Sequence, residues 1–479
     1  MTTTHSSHPA AQVILGIPFN NVTFAEAVEW VHQRILSRKP GYIATANLDF
    51  VKLAWEDPEL QRILLEADLV VADGFPIVWL SRLFGPALKE RVTGSDLVPM
   101  LAGMARDKGH SLYLLGGAPG VGEKAAQSLR NNYPGVRIAG QYSPPLADVI
   151  TMDHPGILMR LEAAKPDILL IAFGAPKQEK FANFHVRTWS IPVSIGVGGT
   201  LDFLAGTQIR APRIVQRLSL EWLWRMMTAP RRLVKRYWAD LIFLLTTCGS
   251  LLKLRLLPDH PFTAPSEPAR GHDPSPDILW ASYTSRDIPS LESLFSAAGK
   301  RSIALDIMGV PWFSSTELGL LLQLAKTCRH QGCRLILFHT GTRIKRLMST
   351  CRLTDYIDLI DSREEAVRRL SELGKGGRAT QSEGNQLVIQ TPPELTAANV
   401  DEFRVAMQPE LDHSPAYSLW VVDLQYTKFM DSSALGLLAS WRTLAGKRNT
   451  PITIRNAGKV VSMTFHKANV DTWLEKPPL

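Results

Sequence analysis

Cysteines and metal-binding patterns are scarce in this sequence. Its 479 residues include four cysteines, whose spacing matches neither a disulfide framework nor zinc-ligand pairs. The twelve histidines form no HExxH or His-x-His pattern, and there is no Asp-x-Asp pair of the kind that holds a metal-bound nucleotide diphosphate. These absences predict a protein of a reducing compartment that works without a metal and without another cofactor.

Targeting and membrane-spanning signals are lacking as well. Residues 1–12 contain no basic region and no apolar run, so we expect no signal peptide and a chain that stays in the cytoplasm. The charge-free run at 241–252 has twelve residues, well short of the roughly 20 that span a bilayer. Arg236, Tyr237, Trp238 and Lys253 flank it. This composition favours a helix lying in the membrane interface, with a buried core helix or an oligomer helix as the alternative.

Positive charge is concentrated in one segment. Residues 205–257 carry ten Lys or Arg side chains against two carboxylates, which accounts for the whole net charge of +8. Such a patch indicates an anionic partner, such as membrane phospholipid, a diphosphate or nucleic acid, although a solvated helix face has the same composition. Nucleic acid is the least favoured partner, because the basic residues alternate with large aliphatic residues rather than with an aromatic platform.

Apolar strand candidates alternate with amphipathic stretches in the first half of the chain. This alternation predicts an α/β fold with a parallel, Rossmann-like sheet. Proline and glycine mark linkers at 258–277 and 374–384, so we expect domains at 10–257, 278–373 and 385–476, the first ending in a basic appendage at about 205–257. The strand candidates are residues 41–46, 69–72, 111–115, 136–140, 167–173 and 193–197.

Two glycine-bearing turns follow the last two strand candidates. The turn at 174–179 brings Lys177, Gln178 and Glu179 to the place where parallel sheets bind ligands, beyond the carboxyl ends of the strands. The turn at 196–199 contains glycines whose backbone N–H groups can approach an anion closely. Each turn alone is equally typical of a plain connection from strand to helix, and their recurrence favours a phosphate-bearing substrate.

The last two domains contain an internal repeat. Residues 305–321 align with residues 422–438 at an offset of 117, and both copies predict a strand, a loop and a helix. The repeat resembles the STAS domain family, the sulfate-transporter and anti-sigma-factor-antagonist fold, in which a partner kinase can phosphorylate an Asp-Ser pair at the helix start. Asp431 and Ser432 match that pair, whereas the degenerate first copy has Ser314 and Ser315. The resemblance implies Ser432 as a phosphorylation candidate; two unmodified helix caps on docking modules remain the alternative.

Seven ordered motifs give residues 13–240 a second resemblance, to the WecG/TagA/CpsF family of bacterial glycosyltransferases. The resemblance implies a hexosyltransferase-type enzyme that transfers a sugar from a UDP-sugar onto a polyprenyl-diphosphate-linked saccharide. The transfer would invert the anomeric configuration and would need no metal. It further implies a peripheral position on the inner face of the plasma membrane and a role in exopolysaccharide or other surface-glycan synthesis. The motifs occupy residues 45–49, 72–74, 90–97, 114–117, 174–179, 196–203 and 210–212.

The resemblance also assigns roles to individual residues. It implies Asp73 as the general base that takes the acceptor proton, with Thr45 and Asn47 at the sugar. The plain alternatives are a turn residue for Asp73, a helix cap for Thr45 or Asn47, and lipid-headgroup contacts for the arginines of the appendage. The implied substrate-binding residues are Arg91, Asp96, Gly116, Gly117, Gln178, Gly198, Asp202, Arg225, Arg232 and Arg236, of which the last three would stabilise departing UDP.

Two functional hypotheses follow from this architecture. In the first, the chain is an active glycosyltransferase that its STAS-like modules regulate or localise. In the second, it is a nucleotide-sugar sensor that signals through a STAS-binding kinase or partner protein and turns nothing over. Retention of Asp73 beside Thr45, Asn47, Arg91 and Gln178 favours the enzyme, because a sensor needs no general base.

Overall fold

The computed structural model describes most of the chain. The described residues are 9–212, 215, 221–228, 230–256, 278–284, 288–299, 301–373, 380–383, 385–412 and 417–474. The linker predicted at 258–277 lies outside them, as do residues 374–379 and 384 of the second predicted linker. We refer below to the N-terminal domain (residues 9–256), the central domain (278–373) and the C-terminal domain (380–474).

A six-stranded parallel sheet forms the centre of the N-terminal domain, in the order β4-β3-β8-β7-β5-β6. Five of its strands are almost wholly buried, as expected of unbroken apolar runs covered on both faces. All six predicted strands are confirmed within two residues. Their bounds are β3 Tyr42–Ala46, β4 Leu69–Ala72, β5 Ser111–Gly116, β6 Arg137–Tyr142, β7 Ile168–Ala172 and β8 Val193–Gly196.

An antiparallel hairpin precedes this sheet and was not predicted. It consists of β1 (Ala11–Ile14) and β2 (Ile17–Asn20), joined by Leu15 and Gly16, both of which have positive φ. Helices then cover both faces of the parallel sheet, in two separate apolar cores. Their bounds are α1 Phe24–Ser37, α2 Leu48–Glu56, α3 Pro58–Glu66, α4 Phe75–Phe84, α5 Gly94–Lys108, α6 Val121–Asn132, α7 His154–Ala164, α8 Lys177–His185 and α9 Thr200–Leu204.

Two helices form the basic appendage, α10 (Glu221–Thr228) and α11 (Pro230–Leu256). The apolar run that the sequence analysis counted as twelve residues lies inside α11, which has 27 residues. By length and composition, Val234–Arg255 could cross a membrane. One face of α11 nevertheless packs on the protein, where Leu251 and Leu254 are buried and Phe243 lies edge-on to Trp55.

The central domain contains a four-stranded parallel sheet in the order β12-β11-β10-β9. Its strands are β9 Ile278–Ser282, β10 Ser302–Asp306, β11 Leu335–Phe338 and β12 Asp358–Ile360. Its helices are α12 Ile288–Ala298, α13 Ser315–His330, α14 Thr342–Thr350 and α15 Arg363–Leu373. The inner residues of this domain share one continuous apolar core with β1 and β2 of the N-terminal domain.

The C-terminal domain repeats the strand, loop and helix of the central domain. Its sheet has the order β13-β14-β16-β18, with β13 antiparallel to β14 and the other pairs parallel. It has an apolar core built from its own residues, with Ile150 of the N-terminal domain at the edge. Its elements are β13 Thr380–Glu383, β14 Gln386–Gln390, β15 Glu394–Leu395, β16 Leu419–Asp423, β17 Phe429–Met430, β18 Ile452–Arg455, α16 Val400–Asp412, α17 Ser432–Lys447 and α18 Lys459–Lys467.

Candidate active site at the carboxyl edge of the parallel sheet

The ends of β3 and β4 bring three of the predicted site residues together. The backbone N–H of Asp73, directly after β4, donates to the carbonyl of Ala46 at the end of β3, at 2.9 Å. A side chain at Gly74 would touch Asn47 Cβ at 3.5 Å, so the two strand ends are in contact. Asp73 therefore lies beside the 45–47 segment on the edge where parallel sheets bind ligands.

Thr45 and Asn47 both make contacts within the protein. Thr45 Oγ1 donates to the carbonyl of Gly196 at 2.9 Å and so ties the end of β3 to the end of β8. Asn47 is the N-cap of α2, because its Oδ1 accepts from the N–H of Phe50 at 3.1 Å. The helix-cap alternative thus describes Asn47 in this structure, and the sugar contacts implied for both residues stay a prediction.

A cluster of charged groups surrounds Arg210. Its Nη1 and Nη2 bind the two carboxylate oxygens of Asp96 at 2.6 and 2.7 Å. Glu221 lies 3.8 Å from Arg210 Nε and 3.7 Å from Arg91 Nη1, so it joins both arginines to α10. Burial opposes the charged form of Arg210, but hydrogen bonds to Asp96 and the charges of Asp96, Glu221 and Asp73 raise its pKa. The charge of Asp73 therefore acts on Arg210.

Asp96 contacts other side chains of the protein, and the substrate contact implied for it stays a prediction. Its carboxylate accepts from Arg210 and from Thr93 Oγ1, and these hydrogen bonds lower its pKa although burial opposes that shift. A carboxylate engaged in this way orients a guanidinium, so we assign to Asp96 the positioning of Arg210. Sequence analysis did not select Arg210 as a site residue, although it begins the motif at 210–212.

Gln178 connects the two glycine turns. Its Oε1 accepts from the N–H of Gly174 at 3.2 Å and from the N–H of Gly198 at 3.1 Å. The side chain is 2% exposed, so the amide faces the protein rather than a ligand. Gly174 and Gly198 have φ of 77° and 49°, in the left-handed region where glycine is favoured. Gln178 thus fixes the shape of both turns from the protein interior.

Sequence analysis expected Glu179 to lie where a ligand binds. In the structure its side chain is buried in the interior below these turns. Tyr42, which sequence analysis did not identify, donates its hydroxyl to Glu179 Oε1 at 3.0 Å. A side chain at Gly196 would come within 2.8 Å of Gln178 Nε2, Tyr42 Oη and Glu179 Oε1, so this strand end requires glycine. Burial raises the pKa of Glu179 to about 7, against the hydrogen bonds of Gln178 and Tyr42, which lower it.

Replacing Glu179 by Gln should change how stability depends on pH. Because its folded pKa lies above its ordinary value of 4.5, Glu179 takes up a proton on folding between about pH 4.5 and 7, and its contribution to stability falls as pH rises through that window. Glutamine does not ionise. We therefore expect the free energy of unfolding of Glu179→Gln to rise by about 3 kcal/mol relative to that of the native protein as pH goes from 5 to 8. Urea unfolding at several pH values measures this; parallel stability curves would contradict it.

A glycine-rich turn joins β5 to α6. Gly116, Gly117 and Gly120 have φ of 105°, 77° and 82°, and α6 begins without a side-chain cap. Ser143 Oγ donates to the carbonyl of Gly116 at 3.1 Å and holds the turn in place. The first N–H groups of a helix that has no side-chain cap are suited to a phosphate. This geometry agrees with the diphosphate contact implied for Gly116 and Gly117, which no contact in the structure tests.

Asp202 and Arg236 are the remaining predicted site residues that the structure describes near this edge. Asp202 lies in the first turn of α9, and its carboxylate accepts from Thr207 Oγ1 at 3.2 Å, which closes the turn leading to Arg210. Arg236 Nη2 lies 2.9 Å from Asp49 on α2 and is thereby held near Asn47. The side chains of Arg225 and Arg232, on α10 and α11, lie outside the described part of the structure.

Metal binding has no support in the described ranges. Among those residues, no group of three or more His, Cys, Asp or Glu side chains is arranged to hold a metal ion. The buried histidine pair His154 and His185, whose ring nitrogens Nδ1 and Nε2 lie 2.6 Å apart, packs among aromatic rings, and burial lowers the pKa of His185 to about 3. We assign this pair to the core.

The parallel sheet and its glycine turns agree with a glycosyltransferase, and the family comparison shows this class. The family described as glycosyl transferase WecG/TagA/CpsF matches residues 12–256, half of the sequence, and the chain belongs to this family. STAS-domain families match residues 289–366 and, as the Mlab type, 379–476. Both predicted resemblances are confirmed.

Two curated relatives carry the name N-acetylglucosaminyldiphosphoundecaprenol N-acetyl-beta-D-mannosaminyltransferase. The one from Staphylococcus aureus (strain MRSA252) is 30% identical over 235 residues, covering 49% of this chain and 91% of the relative. The one from Bacillus subtilis (strain 168) is 30% identical over 222 residues, covering 46% and 85%. A solved structure of the anti-sigma factor antagonist SpoIIAA, unphosphorylated, overlaps 21% of this chain and 86% of its own, with 18% identity and a TM-score of 0.19.

Proposed function

We propose that this chain moves a sugar from a UDP-sugar onto a polyprenyl-diphosphate-linked sugar, with inversion, in surface-polysaccharide synthesis. The observation that carries the proposal is the position of Asp73, at the joined ends of β3 and β4 and within the electrostatic reach of Arg210. The relatives' names describe an acceptor carried on diphosphoundecaprenol and a beta-linked product, which supports the acceptor class and the inversion.

The proposed reaction is one displacement. Asp73 takes the proton of the acceptor hydroxyl, the oxygen bonds to the anomeric carbon, and the bond from that carbon to UDP breaks, so the electron pair leaves with UDP. Negative charge then develops on the diphosphate. In the proposal, the N–H groups at the start of α6, which has no side-chain cap, and the cations Arg91 and Arg236 stabilise this charge, so the step requires no metal.

Arg210 completes this arrangement in our proposal. Its guanidinium is fixed by both oxygens of Asp96, so it keeps one orientation while substrate binds and leaves. Glu221 connects the same guanidinium to α10, the first helix of the appendage. Movement of α10 would therefore change the position of the Arg210 guanidinium directly.

We propose further that the protein lies on the inner face of the plasma membrane through α11. The face of α11 opposite its buried residues exposes Trp238, Ile242 and Leu245, which fall on one side of a helix. On the buried side, Asp240 lies 3.8 Å from Lys52, and Leu251 is in the core. A helix held to its own protein along one side is suited to lie in the interface rather than to cross it.

A double substitution of Trp238 and Leu245 by Ser tests this membrane contact. Both side chains are 65% exposed, so their removal should leave the fold intact. Each buries apolar surface worth about 1.5–3 kcal/mol in the interface, so we expect binding to anionic phosphatidylglycerol vesicles to fall by roughly 100-fold or more. Leu146→Ser, at a loop residue that is 99% exposed, is the matched control. Equal sedimentation of the double variant and the control with vesicles would contradict the proposal.

The transfer itself is tested by product analysis. Purified protein is incubated in detergent with each UDP-sugar of a panel and with a polyprenyl-diphosphate-linked N-acetylglucosamine. The molecular masses of the lipid products are then measured by mass spectrometry. We expect one donor to add one sugar residue to the lipid. Binding of a donor without any lipid product would contradict the transferase and favour the alternative, a nucleotide-sugar sensor that signals through its STAS domains.

A further inference from the structure

A stripe of exposed apolar side chains begins two residues after Asp73. Phe75, Trp79 and Leu83 of α4 follow one another at intervals of four, so they share one side of the helix, and they are 42%, 55% and 39% exposed. The opposite side of α4, with Ile77, belongs to the apolar core. A contiguous row of exposed apolar side chains is typical of a surface that contacts a lipid, a ligand or another protein. We call this row the α4 stripe.

The α4 stripe starts at the candidate site, and so does α11. A side chain at Gly74, directly before α4, would touch Asn47 Cβ at 3.5 Å. Two residues beyond Asn47, the carboxylate of Asp49 lies 2.9 Å from Arg236 Nη2 of α11. The first turns of both helices are therefore neighbours at the carboxyl edge of the sheet. A cation, Arg236, lies close to the start of the stripe.

The far ends of α4 and α11 lie together at an apolar crevice. Phe84, the last residue of α4, and Leu251 and Leu252 of α11 all line it. Helix α2 leads to the same place, because Trp55 near its end donates Nε1–H to the carbonyl of Leu15, which also lines the crevice, at 2.8 Å. Since α4 has ten residues, the stripe leads from the site edge to the crevice over about 15 Å.

The central domain supplies the other wall of this crevice. The lining is apolar except for Ser315 and for Arg255 of α11, and the crevice is narrow. The N-terminal domain alone provides only one of its two sides. The residues that the central domain contributes are Trp312, Phe313, Ser315, Leu318, Leu347 and Cys351.

We propose that the α4 stripe and the crevice bind the first isoprene units of the acceptor's polyprenyl chain, an inference that rests on the proposed function. In such an acceptor a sugar and a diphosphate separate the reacting hydroxyl from the lipid. With the hydroxyl at Asp73, the lipid therefore begins beside α4 rather than at the site itself. A ligand with an anionic end and an apolar tail matches a surface that has Arg236 at one end and apolar side chains along the rest.

The crevice differs from the face of α11 that we assign to the membrane. Trp238, Ile242 and Leu245 lie on the outside of a helix, a shape that suits the surface of a bilayer. The crevice is concave and lies between two domains, where small-molecule sites occur preferentially. The two apolar surfaces thus have different partners in the proposal, the bilayer at α11 and one acceptor chain at the α4 stripe. The central domain becomes part of a substrate site.

Two soluble acceptors separate binding of the lipid chain from the transfer itself. A diphosphate links N-acetylglucosamine to farnesyl in one and to methyl in the other, and full-length protein is assayed with each, without vesicles and below the micelle concentration. We expect the native acceptor KM to be roughly 10-fold or more lower for the farnesyl compound, because its chain buries apolar surface. Equal KM values for the two acceptors would overturn the proposal.

Trp79→Ser tests the stripe. We expect it to raise the KM for the farnesyl acceptor roughly 10-fold more than the KM for the methyl acceptor, since only the former loses apolar contact. Leu36→Ser is the control, because Leu36 is 60% exposed on α1, a helix that packs on the other apolar core. The proposal fails if Trp79→Ser affects both acceptors equally or neither, or if Leu36→Ser has the same selective effect.

Photolabelling measures binding without turnover. Farnesyl diphosphate with a diazirine on its last isoprene unit is irradiated with the protein, and peptide mass spectrometry locates the label. We expect label on α4 and on residues 312–318. Leu252→Trp, at a position that is 40% exposed, should narrow the crevice and reduce the label on residues 312–318.

The two experiments fail independently of each other. Label confined to the exposed face of α11, or label on residues 312–318 that Leu252→Trp leaves unchanged, would overturn the lipid site, even if both acceptors are turned over. Label at α4 and in the crevice without turnover of either acceptor would support the lipid site and contradict the proposed transfer.

Discussion

Asp73→Asn is expected to reduce kcat by roughly 10²–10⁴-fold, the range typical of losing a general base. The amide has the size of the carboxylate but cannot take the acceptor proton, so the displacement stalls before the anomeric carbon is attacked. The donor KM should change little, because the diphosphate contacts that we propose lie at α6 and at the arginines, on other elements. Initial rates over a series of donor concentrations separate the two constants.

The matched control for this substitution is Asp153→Asn. Asp153 caps α7 through its side chain, and asparagine caps a helix as well as aspartate does. We expect its kcat to equal that of the native protein. If Asp73→Asn kept more than a third of native kcat, the assignment of Asp73 as base would be wrong, and another group at this edge would have to take the proton.

Gln178→Met is expected to raise the donor KM by roughly 10–100-fold. Methionine fills a similar volume but offers the N–H groups of Gly174 and Gly198 no oxygen, and each unpaired buried donor costs about 1–3 kcal/mol. The two turns then lose their fixed shape on the side where we propose that the donor binds. A smaller change in kcat is expected, since Asp73 lies on a different strand end.

Thermal unfolding distinguishes this local effect from a general loss of structure. Gln127→Met serves as the control, because Gln127 is an exposed glutamine of α6 that bonds only its neighbour Asn131 in the described structure. We expect the control to keep native KM and native melting temperature. An unchanged donor KM in Gln178→Met, with the protein folded at the assay temperature, would show that the turns do not depend on Gln178.

The sheet could be predicted from sequence because its information is local. Runs such as Ile168–Ala172 are apolar without interruption, and a glycine follows close to the strand end. A few adjacent residues therefore predict both the strand and its boundary. The hairpin of β1 and β2 escaped prediction because its four-residue strands are too short to show a pattern. The length of α11 was underestimated because charged residues interrupt the apolar run but not the helix.

The site was predicted in its residue types but not in its contacts. Asp73 and Asn47 were identified by motifs, and the cap that Asn47 forms is local. The pairing of Asp96 with Arg210 and the contact of Gln178 with Gly198 depend on residues farther along the chain. Ser432 donates its hydroxyl to Glu59, 373 positions away, and no local pattern links them. Such pairs are decided by tertiary packing, which sequence periodicity does not contain.

The most direct measurement of the central claim is UDP release by the purified full-length chain, in the presence of EDTA, with and without a polyprenyl-diphosphate-linked sugar. The account predicts release with one UDP-sugar of the panel, dependence on the acceptor, and loss of release in Asp73→Asn. Release at the same rate without acceptor, or no release with any donor that binds, would contradict it.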